Sequence, residues 1–296
     1  MGKIDLHIHS HYSMDGEYSV LDLFKKAEEA GLSLAAIADH DNIEAARQVN
    51  TYRTYSNIKW IPAIECTCSY NDKELHVLGY GIDPYFSWFD DLYARVKKAQ
   101  RDVLKMRLDA LNKLLELNLT LADFEIFYDK YVMSPKFIAK YILSNPNAIN
   151  NKLLKPYISG SYQSPSNTLF IQHTMAYGKE AYVKCDLPSL NTIIEQIHLA
   201  GGLAVLSHPG NTVKEDTSLL NELVHLGLDG IEAYSSYHSE FQNVFYVEYA
   251  LRRKLLITCG SDFYGSSKRF IKMGNTHCPM SEEEMIEGFK RKGLNI

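Results

Sequence analysis

The sequence predicts an α/β fold, a parallel sheet or barrel interrupted once by a mostly helical insertion. Two observations carry this. Short apolar runs alternate with amphipathic helical stretches on both flanks of the chain, the pattern of strands joined by crossover helices. The residues able to do chemistry gather at the ends of those runs: His7-Ile8-His9, Asp39-His40-Asp41, Glu65 with His76 beyond it, His208-Pro209 and Gly260-Ser261-Asp262. In parallel α/β folds the chemistry lies past the C-terminal ends of the strands. One arrangement therefore explains both the rhythm and the clustering.

The elements follow in order. Lys3 to His9 alternates as a strand. A helix runs from about Val20 to Ala30, with Ser19 as N-cap and Gly31 as its stop. Leu32 to Ala38 is an apolar strand, Ile43 to Tyr55 a helix, and Trp60 to Cys68 and Leu75 to Ile82 the next strands. The rhythm breaks after Asp83-Pro84. From Ser87 to Leu117, apolar residues at three- and four-residue spacing predict one long helix, and Ser134–Leu143 and Thr168–Tyr177 predict two more around a polar connector, 144–167. The alternation then resumes: helix Leu190–Ala200, strand Leu203–Leu206, helix Leu219–Leu226, strand Leu228–Ala233, helix Glu240–Arg253 and strand Leu255–Cys259. Residues 1–84 and 189–296 are thus assigned to the α/β part, and 85–188 to the insertion.

Composition narrows the class. The chain has 296 residues, 46% of them hydrophobic, enough for a full-sized core. No apolar run approaches the ~20 residues that cross a bilayer, and a cleaved leader would remove His7 and His9. The five cysteines, Cys66, Cys68, Cys185, Cys259 and Cys278, show no paired spacing. They are expected as reduced thiols in a cytoplasmic protein, with Cys66 and Cys68 as small buried strand residues. A net charge of −5 without a basic stretch argues against duplex DNA as a partner. Small anionic substrates stay open, because bound divalent ions reverse the field in a cleft.

His7 and His9, two apart on a strand, leave the same face and can share one metal. Neutral imidazole suits zinc, manganese and iron. Glu65 ends the run Trp60-Ile61-Pro62-Ala63-Ile64, where a carboxylate needs a compensating charge and can bridge two cations. His76 sits in the next strand, within reach of a second ion. His208 lies on a Pro-Gly turn, and Asp262 follows small residues that permit close backbone approach. The plain alternatives are ordinary strand histidines for 7 and 9, a surface ion pair for Glu65, a structural histidine for 76, a turn residue for 208 and a helix cap for 262. It is the company these residues keep that favours metal.

Taken together, Asp5-x-His7-x-His9-Ser10, Ser13-Met14-Asp15-Gly16, Ala38-Asp39-His40-Asp41, Glu65, His76-Val77-Leu78-Gly79-Tyr80, the run from Ala200 to Gly210 and Gly260-Ser261-Asp262-Phe263 resemble the PHP (polymerase and histidinol phosphatase) family, in particular its TrpH-like phosphoesterases. The resemblance spans essentially the whole chain. It implies a distorted (β/α)7 barrel, with a helical insertion over the site, and two or three metals. Carried across, His7, His9, Glu65 and Asp262 hold one ion, Glu65 bridges to a second held also by His76 and His208, and Asp15 and His40 belong to a third. The family's usual third ligand there is histidine; this chain has Tyr264, a poor ligand unless ionised. Two ions and a weak or absent third are therefore expected.

The implied activity is hydrolysis of a small phosphomonoester by a hydroxide shared between metals, with Asp262 or His208 steering a proton. The implied substrates are a nucleotide, a nucleoside 3′,5′-bisphosphate or a short oligonucleotide 5′ end; histidinol phosphate is a further possibility. Ser207, His238, Lys136, Lys268 and Arg269 are candidate substrate contacts, with Lys179, Arg101 and Arg107 behind them. Asn211 stands where relatives often carry arginine. His173, His198, His225 and His277 read as structural or exposed, and His11 as past the strand. Two other readings are an amidohydrolase, which also opens with His-x-His, and a metal- or nucleotide-binding module without turnover.

Overall fold

In the computed structural model seven strands are hydrogen-bonded side by side in sequence order: β1 Lys3–Ile8, β2 Leu32–Ile37, β3 Lys59–Tyr70, β4 Lys73–Tyr80, β5 Leu203–Leu206, β6 Gly230–Ser235 and β7 Leu256–Gly260. The structure describes residues 3–163, 166–268 and 270–296. The ends of the sheet meet just past β7. Asp262 N–H donates to His7 O at 2.8 Å and His9 N–H to Phe263 O at 2.8 Å. This nearly closes a distorted (β/α)7 barrel.

One strand departs from the repeat. β4 follows β3 through Asn71 and Asp72, both in the left-handed region (φ 48° and 62°), as a two-residue hairpin turn requires. β4 therefore runs against the barrel and pairs antiparallel with β5, whereas β1–β2, β2–β3, β5–β6 and β6–β7 are parallel. The sequence reading places these two strands in succession but expects a parallel sheet; with no crossover helix between them the second must run antiparallel.

The helices cover the outside. Ser19 caps helix Val20–Ala30 by accepting from Asp22 N–H, and Gly31, at φ 74°, ends it. Helix Glu240–Arg253 begins with a capping box from Ser239 and Gln242. A helix absent from the sequence reading, Glu282–Arg291, starts with the same device from Ser281 and Glu284. Its Met285, Ile286 and Phe289 join the inner core of Ile4, Leu6, Leu34, Ala36, Ile61, Ala63, Leu78, Tyr80, Leu203 and Val205. Phe289 meets Tyr80 edge-to-face at 5.7 Å. Each fully buried side chain of this size contributes about 1.5–3 kcal/mol, so the barrel interior is a packed core and not a channel.

The chain divides into two compact units, residues 1–70, 74–93 and 188–296, and residues 71–73 and 94–187. The second is helical. The single helix expected over 87–117 is a 3-10 turn, Ser87–Asp90, then Leu92–Asp102 and Leu104–Leu115, broken at Val103 with no glycine or proline to announce it. An aromatic group of Phe124, Phe127, Tyr131, Phe137 and Tyr141 holds this unit together. No helix among the described residues is long and apolar enough to cross a membrane.

Candidate metal centre

Strand alternation builds the site. Leu34, Ala36 and Ala38 face the inner core and lead to His40; Ile61 and Ala63 lead to Glu65; Leu203 and Val205 lead to Ser207. Because β4 is reversed, its beginning lies at this same mouth, and Tyr80 and Leu78 lead up to His76. A short parallel bridge between His40 and Glu65 extends the β2–β3 pairing to the rim. Three residues of the mouth, His208 (φ 26°), Asp262 (φ 56°) and Asp41 (φ 55°), occupy left-handed backbone, a strain that concentrates at functional sites.

The side chains converge on Glu65, which is fully buried. Its Oε2 lies 3.2 Å from His7 Nε2, 3.4 Å from His9 Nε2 and 3.0 Å from His40 Nδ1. Its Oε1 lies 3.2 Å from His76 Nδ1 and 3.2 Å from His208 Nε2, and accepts from Ser207 Oγ at 2.8 Å. Asp262 Oδ1 is 2.8 Å from His9 Nε2 and 3.5 Å from His7 Nε2. The ligand atoms of His7, His9, Glu65 and Asp262 all lie within 4.8 Å of one another, as do those of His40, Glu65 and His76.

Hydrogen bonding behind the rings decides which nitrogens face inward. His7 Nδ1 is 3.0 Å from Glu232 Oε1, and a carboxylate only accepts, so Nδ1 carries a proton. His9 Nδ1 is 2.9 Å from Ser13 Oγ, whose one proton goes to Asp39 Oδ1 at 2.6 Å, so His9 Nδ1 also donates. The two Nε2 atoms then face each other at 3.1 Å beside two carboxylate oxygens. Among the described residues, Glu65 Oε2, His76 Nδ1 and His208 Nδ1 are buried with no hydrogen-bond partner. A cluster of basic atoms with orphaned lone pairs fits a bound cation.

The acid–base balance agrees. Burial pushes the Glu65 carboxyl up, but His40, His7 and His76 outweigh it and hold the group well below the usual carboxylate range. Burial pulls His7 down, but Glu65 and Glu232 hold it well above the usual imidazole value. His76 behaves alike: burial opposes, Glu65 prevails, and the ring rises to about 10. Burial takes His40 down to about 3. Without metal, protons on His7 and His76 thus neutralise Glu65. Asp262 is desolvated yet kept well below its ordinary value by the Lys268 ammonium, 2.5 Å from Oδ2.

Of the residues singled out by sequence, His7, His9, Glu65 and Asp262 come together, and His76 and His208 flank Glu65. His40, assigned there to a third site with Asp15, sits against Glu65 beside His76, and its Nε2 meets the Tyr264 hydroxyl at 2.8 Å. Asp15 stands outside both groups. Tyr264 is buried, stacks on His9 at 4.0 Å, and has its phenol raised well above the ordinary value, chiefly by burial, so it stays protonated. Ser207 is fully buried against Glu65. His238 Nδ1 donates to Ala233 O at 3.1 Å and its Nε2 accepts from Gly210 N–H at 3.1 Å, so both nitrogens serve the scaffold. Arg107 is buried in the helical unit, donating to Gln100 Oε1 at 2.5 Å. Lys136 lies on that unit's helix Pro135–Ser144. Lys268 lies at the mouth, and Arg269 lies outside the described residues. Cys66 and Cys68 are buried strand residues.

Two residues of the centre, Tyr237 and Glu232, escape the sequence reading, and two that it names only within motifs, Asp39 and Ser13, turn out to brace the ligands. Asp39 accepts from Ser10 N–H, Ser10 Oγ and Ser13 Oγ, fixing the loop after β1. Ser13 orients His9. Tyr237 hydrogen-bonds Asp262 Oδ2 and contacts Lys268. Glu232, in the middle of β6, backs His7. A carboxylate inside an apolar strand is the same signal that marks Glu65, and Glu232 carries it in Gly230-Ile231-Glu232-Ala233.

A barrel with imidazoles and carboxylates converging at its mouth is the architecture of a metal-dependent hydrolase. The PHP domain family matches residues 5–153. The chain belongs to that family. It is 26% identical over 272 residues to a 5′-3′ exoribonuclease of Haemophilus influenzae, covering 88% of this chain and 90% of that protein. It is 25% identical over 273 residues to a phosphoribosyl 1,2-cyclic phosphate 1,2-diphosphodiesterase of Eggerthella lenta, covering 91% and 97%. It is likewise 25% identical over 279 residues to a 3′,5′-nucleoside bisphosphate phosphatase of Chromobacterium violaceum, covering 93% and 92%. A crystal structure from Bifidobacterium adolescentis shares the fold, with a TM-score of 0.71 at 21% identity, over 97% of this chain and 96% of that one.

Proposed function

We propose that this protein, a metal-dependent phosphoesterase of the PHP family, hydrolyses a small nucleotide-type phosphomonoester: a nucleotide, a nucleoside 3′,5′-bisphosphate or the 5′ end of a short oligonucleotide. The observation that carries the reading is the shared, buried Glu65, whose two oxygens each face imidazoles from opposite ends of the chain. Three relatives named for action on RNA, on a cyclic phosphate and on a nucleoside bisphosphate support phosphate esters as the substrate class.

His7, His9, Glu65 and Asp262 would hold one divalent ion, and Glu65 with His40, His76 and His208 a second; nitrogen and oxygen donors suit zinc, manganese or iron. When bound, such ions supply an activated water and neutralise charge building on the phosphoryl oxygens. The chain's own groups do the rest. Lys268, 24% exposed and 4.0 Å over the Tyr264 ring, offers an ammonium to a phosphate oxygen at the mouth. His208, whose buried Nδ1 has no hydrogen-bond partner, is the candidate proton donor to the leaving oxygen. Asp262, held by Lys268 and Tyr237 on Oδ2 and facing His9 with Oδ1, keeps its charge and orients the ligand set.

The test pairs elemental analysis of the purified protein with a hydrolysis screen: phosphate release from nucleoside 3′,5′-bisphosphates, 5′-phosphorylated short RNA, AMP and histidinol phosphate, and chromatographic detection of the ring-opened monoester from a ribosyl 1,2-cyclic phosphate. Release confined to the metal-loaded protein, and strongest on nucleotide-type esters, supports the reading. Release that survives complete chelation overturns it. So does a protein holding two ions that turns over none of these esters, which would favour a binding module; turnover of amides or lactones instead would favour an amidohydrolase.

A further inference from the structure

Glu232 is a fully buried carboxylate with both oxygens committed. Oε1 lies 3.0 Å from His7 Nδ1, and Oε2 accepts from the backbone N–H of His208 at 2.7 Å. One side chain in β6 thus grips the strand that carries His7 and His9 and, on its other side, the strained turn that carries His208. Gly260 shows how tightly the three are fitted: a Cβ there would collide with His7 Cβ and with Glu232 Oε1.

We infer that Glu232 is a positioning residue that sets the His7 tautomer and ties the two halves of the metal centre into one unit. The inference rests on the metal reading of the cluster but not on any substrate. Its logic is a count of donors. Two N–H groups, from His7 and from His208, point at Glu232, and a carboxylate can accept from both. The isosteric amide cannot, since it offers one acceptor oxygen and one donating NH2. In Glu232→Gln, if the oxygen keeps the His208 N–H, the NH2 faces His7 Nδ1. The imidazole must then carry its proton on Nε2, inside the cluster, where the lone pair for the metal is needed. If the amide turns the other way, the His208 turn loses its anchor. Either outcome damages ion binding without removing a ligand.

The experiment measures zinc affinity of the folded native protein and of Glu232→Gln by competition with a chromophoric chelator, together with the melting temperature of both metal-free forms. Loss of the behind-the-ring partner is expected to weaken binding about 10- to 100-fold, with the metal-free variant still folded. Affinity within about threefold of native in a folded variant overturns the inference, because a merely structural carboxylate changes melting and not the affinity of the folded site. If Glu232→Gln does not fold, nitrogen-detected NMR of the native zinc-loaded protein decides: His7 is expected to carry its proton on Nδ1, and a proton on Nε2 overturns the proposal. A native protein that takes up metal but releases no phosphate counts against the proposed function and leaves this test intact; one that takes up none of zinc, manganese or iron overturns both.

Discussion

The two sides of Glu65 are built to different standards. On one side His7, His9 and Asp262 are buried, and a partner braces each from behind: Glu232 for His7, Ser13 for His9, Lys268 and Tyr237 for Asp262. On the other side His40 and His76 remain 24% and 21% exposed. His76 leans back toward Glu74, at 3.7 Å, while its Nδ1 faces Glu65 Oε1 at 3.2 Å. The carboxylate of Glu65 is common, but the braced side adds a second carboxylate, Asp262, where the other adds a further imidazole, so charge and preorganisation both favour the braced side. Rings already locked in the right tautomer lose little freedom on binding an ion, and buried charges are screened less than exposed ones. On the two-ion reading proposed above, the difference predicts that one ion stays resident while its neighbour remains open to solvent and substrate.

The largest expected effect erases the comparison. Glu65→Gln removes the carboxylate charge both sides share, and phosphate release should fall by about three orders of magnitude, the upper range for loss of a preorganised electrostatic group; a fall under tenfold in a steady-state assay would contradict a shared role. Next come variants that separate the sides. His7→Asn should weaken the tighter ion by more than about 100-fold, beyond what outer-shell changes cause, whereas His76→Asn should leave that ion in place and abolish the weaker one. Calorimetric zinc titrations of the two proteins check this, and identical losses would show the sides are not distinct.

The third effect is on pH. The His76 ring is raised to about 10 by Glu65 despite burial, so at neutral pH it holds a proton in the metal-free protein. Binding the second ion must expel that proton, and affinity should drop about tenfold for each unit of pH lowered from 8 to 6 for each proton displaced. A pH-independent weaker site would contradict the assignment. The smallest effect sharpens the picture at its edge. Tyr264→Phe removes the hydroxyl 2.8 Å from His40 Nε2. One neutral hydrogen bond contributes about 0.5–1.5 kcal/mol, so the weaker ion should lose about two- to tenfold in affinity and the tighter ion should not change.

What the sequence discloses follows from how locally each signal is written. His7 and His9 declare themselves through spacing on one strand, and Glu65 through an apolar run ending in an acid. His208 and Asp262 show themselves by small-residue turns at strand ends. The reversal of β4 is hidden because two good strands read the same in either direction; only Asn71-Asp72, a turn pair, records it. That reversal is what carries His76 to the mouth. The closeness of His40 to Glu65 is not written in spacing either, because it comes from a backbone bridge between the two strand ends. Glu232 carries the same signal as Glu65, an acid in an apolar run, but it sits inside its strand and not at the end, away from the motifs that draw attention to the others. The break at Val103 follows no glycine or proline, and the helical periodicity runs straight through it.

The central claim is that a single carboxylate serves two unequal ions. It is tested most directly by metal content after dialysis, measured on native protein and on Glu65→Gln in parallel. The account predicts two divalent ions per native chain, one lost early and one late as chelator is raised, and essentially none retained by the variant. A Glu65→Gln protein that still holds both ions, or a native protein that holds two of equal affinity, would contradict it.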